Sequence, residues 1–299
     1  ALDLAFVMDP IEKLNPAGDT TLAIIEAAER RGHRCQPFVA GDLRLVGQDL
    51  YLRDRPASSF AAVWMRKDPP FDMKYFFASH LLSLIDQRKC FVMNDPKGLR
   101  EANEKLYALR FPEQIPQTLV SSNMARLKAF MAELGGEMIV KPLDGCGGSG
   151  VFYLNAQDRN TNSILEASTD NGRRLVMGQR YLPEIRQGDK RIIVLNGAPL
   201  GAVLRVPLQS ETRGNIHVGG TCVKTEVTAR DQEICAALAP LLGSDGLYLV
   251  GLDVIGSFLT EVNVTSPTGI QEVNALDGVC LESQVVDFVE RQVEGSLRA

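Results

Sequence analysis

Four glycines, Gly145, Gly147, Gly148 and Gly150, fall within six positions directly behind the strand-like run Met138-Ile-Val-Lys141. Glycine lets a backbone approach a ligand closely and turn successive N–H groups inward, as a phosphate cradle requires. Gly145, Gly147 and Gly150 fit G-x-G-x-x-G, a pattern that marks a dinucleotide site only where it opens a helix. Here Val151-Phe-Tyr-Leu154 follows, and those residue types predict a second strand. No Gly-Lys-Ser/Thr is present, so the stretch is not a P-loop either. What remains is a hairpin with a glycine tip and Lys141 at its entry, either a phosphate flap or an idle flexible turn.

A chain of 299 residues can bury a large core, and its length suggests about two domains. The formal charge of −5 leaves no basic footprint for nucleic acid. No apolar run approaches the roughly 20 residues that span a membrane. Leu2-Asp-Leu-Ala-Phe-Val-Met8 is too short for a signal core and predicts a buried strand. The six cysteines form no C-x-x-C, so free thiols in a cytoplasmic protein are expected. The histidines His33, His80 and His217 are far apart, and nothing points to a Cys/His nucleophilic site.

Residues 1–100 alternate strand and helix: strands at Leu4–Met8, Arg34–Val39, Phe60–Met65 and Phe91–Asn94, helices at Thr21–Arg31 and Tyr75–Gln87. Asp19-Thr20 predicts an N-cap and Gly32 a stop. Such alternation implies a mostly parallel sheet whose ligands lie beyond the carboxyl ends of its strands. Asp9, Arg66-Lys67-Asp68 and Asn94-Asp95 all fall at such ends and suggest one shared substrate edge. Arg44–Pro56 predicts an edge hairpin without chemistry. Pro96–Arg110 predicts a helix capped by Asp95, with Lys105 on its exposed face. Pro112 and Pro116 place a boundary near residue 115.

Beyond it, a strand over Gln117–Ser121, a helix over Ala125–Leu134 capped by Asn123, the glycine hairpin, a helix over Thr161–Thr169 and a strand from Val176 are expected. Asn196-Gly197 joins the strands Asp189–Leu195 and Ala198–Arg205, since Asn-Gly is the strongest short hairpin signal. Residues 207–220 form a long polar loop suited to a lid. A helix over Arg230–Leu242, a hairpin of Leu249–Ile255 with Phe258–Val264, and a helix over Ser283–Val293 complete the chain.

The sharpest acidic set is Asp253, Glu261 and Asn263. Glu261 and Asn263 share one strand face, and such hard oxygen donors suit Mg²⁺ together with substrate phosphates; a salt bridge is the plain alternative. Register decides between them. A two-residue turn at Gly256-Ser257 sets Asp253 opposite Thr260, whereas a three-residue loop sets it opposite Glu261. Lys105, Lys141, Lys190, Arg191 and Arg205 balance the acids. Arg191 begins one strand of the Asn-Gly hairpin and Arg205 ends the other, as a clamp on a phosphoryl group requires. Cys146 has no visible base beside it and is expected to fill space.

These residues resemble the prokaryotic glutathione synthetases, which are ATP-grasp ligases, over essentially the whole chain. The resemblance rests on Met65-Arg-Lys-Asp-Pro-Pro-Phe-Asp72, Asn103-Glu-Lys-Leu106, Lys141-Pro-Leu-Asp-Gly-Cys-Gly-Gly148 and Gln179-Arg-Tyr-Leu-Pro183. It continues through Gly188-Asp-Lys-Arg191, Glu211-Thr-Arg-Gly-Asn215, Gly251-Leu-Asp-Val-Ile-Gly256 and Thr260-Glu-Val-Asn-Val-Thr-Ser-Pro-Thr268. It implies an α/β (α+β) chain with a Rossmann-like N-terminal domain at 1–115, an ATP-grasp lid at 116–182 and a C-terminal ATP-grasp subdomain at 183–299. It implies ATP held by Lys105, Lys141, Gly145, Gly147, Gly148, Gln179, Tyr181, Leu182 and Asp189. Asp253, Glu261 and Asn263 would bind Mg²⁺, for which Mn²⁺ could substitute. Arg191 and Arg205 would act on the phosphoryl group. Arg66, Lys67, Asp68, Arg213, Asn215, Ser266, Pro267, Thr268 and Gly269 would surround the substrates γ-glutamylcysteine and glycine.

The activity so implied is ATP-dependent formation of glutathione, ADP and phosphate through an acyl phosphate, in a homotetramer of the cytoplasm. A ligase for another peptide or amino acid would share the ATP half, and a nucleotide-binding regulator would keep the grasp without the chemistry. Two departures stand out: a short segment between Tyr51 and Trp64, which bears on subunit contacts, and Cys146 at a position usually apolar.

Overall fold

The structure, a computed structural model, describes residues 1–208 and 220–298. The first third lays down β1 (Asp3–Val7), α1 (Thr20–Arg30), β2 (Arg34–Phe38), β3 (Leu43–Val46), β4 (Asp49–Leu52), β5 (Arg55–Pro56), β6 (Ala62–Met65), α2 (Met73–Leu82), β7 (Phe91–Met93) and α3 (Pro96–Glu101). β2-β1-β6-β7 form the expected parallel sheet. Asp19 caps α1 by accepting from the Leu22 amide at 2.9 Å, and Asp95 caps α3 through the Lys97 and Gly98 amides. β3-β4-β5 form a separate three-stranded antiparallel sheet rather than one hairpin.

Four expectations fail in this third. α2 ends at Leu82, five residues before Gln87. α3 ends at Glu101 instead of running to Arg110. The Asn103 side chain accepts from the Lys105 and Leu106 amides at 3.2 and 3.0 Å, offering the backbone an alternative to the helical ladder. Lys105 therefore leaves the helix surface and is buried at 4% exposure. Asn94-Asp95 also leaves the proposed substrate edge. Asn94 bonds the backbone of Tyr248, Leu249 and Val264, stitching this sheet to the far end of the chain.

The middle of the chain contributes β8 (Thr118–Ser121), α4 (Met124–Glu133), β9 (Glu137–Pro142), β10 (Phe152–Asn155), α5 (Thr161–Ser168) and β11 (Val176–Arg180). Its strands form an antiparallel sheet in the order β10-β9-β11-β8, so the glycine run is the tip of a hairpin. A small core of its own, including Leu127, Met138, Val140, Leu165 and Val176, holds this lid together. Gly178 packs closely there: a Cβ would lie 2.8 Å from Met138 Sδ, so that side chain would have to move.

The last part contributes β12 (Asp189–Leu195), β13 (Ala198–Val206), β14 (Thr221–Lys224), α6 (Ala229–Ser244), β15 (Leu249–Ile255), β16 (Phe258–Asn263), α7 (Ile270–Asp277) and α8 (Leu281–Arg298). The sheet runs β14-β13-β12-β15-β16, antiparallel throughout. Asn196 and Gly197 turn β12 into β13 with φ of 50° and 79°, as the sequence requires. β14 and α7 were not expected; α7 starts at Ile270 behind Gly269, which offers no capping side chain, so it carries no start signal. This sheet shares both its apolar cores with the N-terminal sheet. One joins Val7, Val63 and Tyr75 to Val194, Ile234 and Leu252; the other joins Phe6 and Trp64 to Val285 and Phe288. The first and last parts are thus one body, against which the lid stands apart.

Candidate active site

The β15–β16 hairpin takes the expected two-residue turn but the register expected of the three-residue loop. Ile255 faces Phe258 across a two-residue turn and Val254 faces Leu259, yet Asp253 faces Glu261. A β-bulge at Thr260 absorbs the extra residue. Its hydroxyl donates to the Asp253 carbonyl at 3.1 Å, and its carbonyl accepts from Lys141 Nζ at 3.2 Å. Bulges re-aim side chains beside functional sites. This one brings the two carboxylates level and ties the acidic strand to the lid lysine.

A cleft of about 820 Å³ opens between the lid and this sheet. All nine residues expected to hold ATP line it: Lys105, Lys141, Gly145, Gly147, Gly148, Gln179, Tyr181, Leu182 and Asp189, together with Asp253 and Glu261. Lys105 Nζ donates to the Gly145 carbonyl at 2.5 Å and lies 3.4 Å from Glu261. Lys141 Nζ lies 4.0 Å from the same carboxylate. Burial pulls the Lys141 pKa down, opposed by Glu261 and assisted by the Lys105 charge. Gln179 is held by a bond to Thr118 Oγ1 at 2.9 Å. Cys146, expected to fill space, is instead an exposed thiol at the mouth of the cleft.

The two arginines converge as expected. Arg191 grips Asp253 with Nε at 2.6 Å and Nη2 at 3.2 Å. Arg205 reaches Asp253 at 3.0 Å and Asp189 at 2.5 Å. Burial works against ionised Asp253, but the two guanidinium groups hold its pKa well below the usual carboxylate range. Burial pushes Asp189 up to about 7 against the pull of Arg205, with Asp253 adding to the rise. Burial would lower the Arg205 pKa, but the two carboxylates raise it.

The expected substrate residues form a second cluster along the same edge. Arg66 is buried and donates to Thr21 Oγ1 and to the Pro267 carbonyl, both at 3.0 Å. The Asp68 amide donates to Asp9, and Ser266 bonds the Asp68 side chain. Burial raises the Asp68 pKa and lowers that of Arg66. Lys67 Nζ bonds the Asp68 carbonyl, the Thr268 carbonyl accepts from Arg191 Nη1 at 3.0 Å, and Gly269 adopts φ of 127° against Arg191 and Ile193. Arg213 and Asn215 lie outside the described residues. Glu104 and Thr260 fall within the motifs Asn103–Leu106 and Thr260–Thr268, but no role was expected of either; Glu104 acts through Val264 and Thr265, and Thr260 through the Asp253 carbonyl and the Lys141 side chain.

The donor set suits a divalent cation. Among the described residues no three His, Cys, Asp or Glu side chains gather into a metal cluster. Two carboxylates and the Asn263 amide, which bonds the Gly251 carbonyl at 3.2 Å, instead form a partial set that phosphate oxygens would complete.

A glycine-tipped antiparallel lid facing a second sheet that bears carboxylates, with lysines entering from both sides, defines an ATP-grasp enzyme, a class that uses ATP with a divalent metal. The same fold is found in the D-cycloserine synthetase DcsG, with TM-score 0.71, 18% identity and coverage of 97% of this chain and 99% of that one. It recurs in the ATP-grasp ligase PsnB, solved with a minimal precursor, Mg and ADP, with TM-score 0.69, 16% identity and 98% coverage of both.

The family model of the prokaryotic glutathione synthetase ATP-grasp domain matches residues 104–278, and that of the N-terminal domain matches 2–58 and 51–100. Those two pieces overlap within the short segment noted above. Glutathione synthetase of Synechococcus elongatus is 47% identical over 98% of this chain and 99% of its own length. That of Gloeobacter violaceus is 46% identical over 96% of each. The chain belongs to the prokaryotic glutathione synthetase family and is an ATP-dependent ligase.

Proposed function

We propose that this chain activates the cysteinyl carboxylate of γ-glutamylcysteine with ATP and joins it to glycine. The observation that carries the reading is Glu261 facing Lys105 and Lys141 across the cleft, with Asp253 and the arginine pair level with it. Four cations meet three carboxylates there, Asp189, Asp253 and Glu261, and one of those is poised near neutrality. That balance receives a polyphosphate with its metal rather than a neutral ligand.

Lys105 and Lys141 hold the phosphates as point charges while the Gly145–Gly150 loop supplies backbone N–H groups. Gln179, Tyr181 and Leu182 line the nucleoside end, and Asp189 stands with Arg205 at the phosphate end. Asp253, Glu261 and Asn263 would hold Mg²⁺, or Mn²⁺ in its place, which would supply charge neutralisation for the phosphoryl group. The carboxylate oxygen attacks the γ-phosphorus as ADP departs, and Arg191 and Arg205 neutralise the acyl phosphate. The glycine amine then attacks the acyl carbon, expelling phosphate and losing its proton. No side chain becomes a covalent nucleophile. Closing the lid keeps water from the acyl phosphate. Arg66, Lys67, Asp68 and the loop Ser266–Gly269 place the dipeptide, and Arg213 and Asn215 complete the set of substrate residues. The domain limits 1–115, 116–182 and 183–299, a homotetramer and a cytoplasmic location complete the proposal.

ADP release is measured with γ-glutamylcysteine and a panel of amine acceptors, with product mass recorded. Turnover with glycine giving glutathione supports the reading. Strong turnover with another acceptor and none with glycine rejects it.

A further inference from the structure

Between α3 and β8 the chain crosses from the N-terminal sheet to the lid, and three consecutive side chains there grip three different parts of the site. Asn103 Nδ2 donates to the Leu143 carbonyl at 3.0 Å, at the base of the glycine loop. Lys105 reaches Gly145 and Glu261. Glu104 turns the other way: its Oε1 accepts from the Val264 amide at 2.9 Å, the Thr265 amide at 3.2 Å and the Thr265 hydroxyl at 3.0 Å. Its own carbonyl accepts from the Val262 amide at 3.0 Å. Glu104 thus captures the chain where it leaves the metal strand and becomes the loop Thr265–Gly269.

A neutral side chain would serve an ordinary turn at less cost. Burial raises the Glu104 pKa, its hydrogen bonds lower it, and the Glu261 charge raises it further. A carboxylate kept in such a place must do something that geometry demands, and three donors converging on one oxygen define that demand. The loop it holds is otherwise steered by carbonyl contacts to Arg66 and Arg191.

We propose that Glu104 is a positioning residue that fixes the loop Thr265–Gly269 against the phosphate lysine Lys105, and so sets where the acyl substrate meets the phosphoryl group. This rests on the ligase reading above. Lys105 has its own anchors in Asn103 and Gly145, so nucleotide affinity does not depend on Glu104.

Glu104→Ala, Glu104→Gln and Thr265→Val are compared by hydrogen exchange, by binding of a fluorescent ATP analogue and by steady-state kinetics. In Glu104→Ala the peptides covering 264–269 lose protection while those covering 138–154 keep it. The dipeptide KM rises about tenfold, with nucleotide affinity within about twofold of the parent. Glu104→Gln, which retains an acceptor oxygen without the charge, recovers only part of the loss, and Thr265→Val shows the same pattern at smaller size. If Glu104→Ala does not fold, these two decide. A parallel fall of nucleotide affinity and dipeptide KM performance, or unchanged exchange at 264–269, overturns the proposal. Should the parent enzyme form no glutathione, the ligase reading fails, while exchange still decides the role of Glu104.

Discussion

Replacing Asp253 with Asn tests whether the arginine cluster is a structural keystone as well as part of the site. Asp253 is 4% exposed and takes three donors, at 2.6, 3.2 and 3.0 Å. Asn keeps the shape, but one oxygen becomes a donor aimed at guanidinium donors. Arg205 retains Asp189 at 2.5 Å, whereas Arg191 retains only the Thr268 carbonyl. Removing one partner of a buried pair costs about 3–5 kcal/mol, and the retained Asp189 contact places this case near about 3 kcal/mol. At roughly 2 °C per kcal/mol for a chain of this size, the variant should melt about 6 °C lower without ligand. The folded-state pKa of Asp253 is depressed. Its stabilisation is therefore present above the unfolded value of about 3.9 and lost as pH falls through the folded one. The Asp253 contribution to the difference should persist near neutral pH and shrink below about pH 4, any slope between about pH 4 and pH 7 arising from Asp189, whose pKa the Asp253 charge helps raise. Trp64, the one tryptophan, is 1% exposed in the core shared by the first and last parts, so its fluorescence follows that body and not the lid. Equal melting of the two proteins near neutral pH would refute the reasoning, since the cluster would then contribute nothing to stability.

Glu261→Gln, changed at a carboxylate whose lysine partners stand at 3.4 and 4.0 Å, should lower kcat/KM at least about 100-fold in an ADP-release assay. Its ligand-free melting should stay near that of the parent; unaltered turnover would reject the metal assignment. Gly145→Ala places a Cβ 2.6 Å from Pro142 Cγ and 3.0 Å from the Ser149 carbonyl, so nucleotide affinity should fall, as equilibrium binding would show, with little change in melting. Asp189, with a folded pKa raised to about 7, stabilises most below the unfolded carboxylate value and loses that stabilisation as pH rises through about 7. Ligand-free stability followed by urea unfolding should therefore decline between about pH 4 and pH 7, and Asp189→Asn should flatten that decline.

Much of the frame is legible because local chemistry and tertiary packing agree. Asp19, Asp95 and Asn123 cap the helices they precede, and Asn196-Gly197 turns the hairpin it punctuates. The residues expected around ATP gather in one cleft because strand ends and hairpin tips have few places to go once the sheets pair. The illegible parts depend on contacts far along the chain. Lys105 looks like a helix-surface lysine until Asn103 diverts the backbone, and Glu104 meets its partners 160 residues later. A bulge leaves no mark in a six-residue strand, so the two-residue turn of β15–β16 was legible as one alternative but the bulge that resets its register was not.

The bulge at Thr260 also changes what the glycine hairpin means. A loop of glycines can wrap a phosphate, but its placement depends on what anchors its stem. Lys141, on that stem, is tied to the Thr260 carbonyl, and Gly145, at the start of the glycine run, accepts from Lys105. The extra residue that sets Asp253 level with Glu261 thus also supplies the acceptor that docks the lid lysine. Lengthening the turn would restore the carboxylate register without that carbonyl. Alignment of Asp253 with Glu261 and seating of the lid are one structural event, and the glycine loop proposed to cradle phosphate acquires its position from the strand opposite rather than from its own glycines.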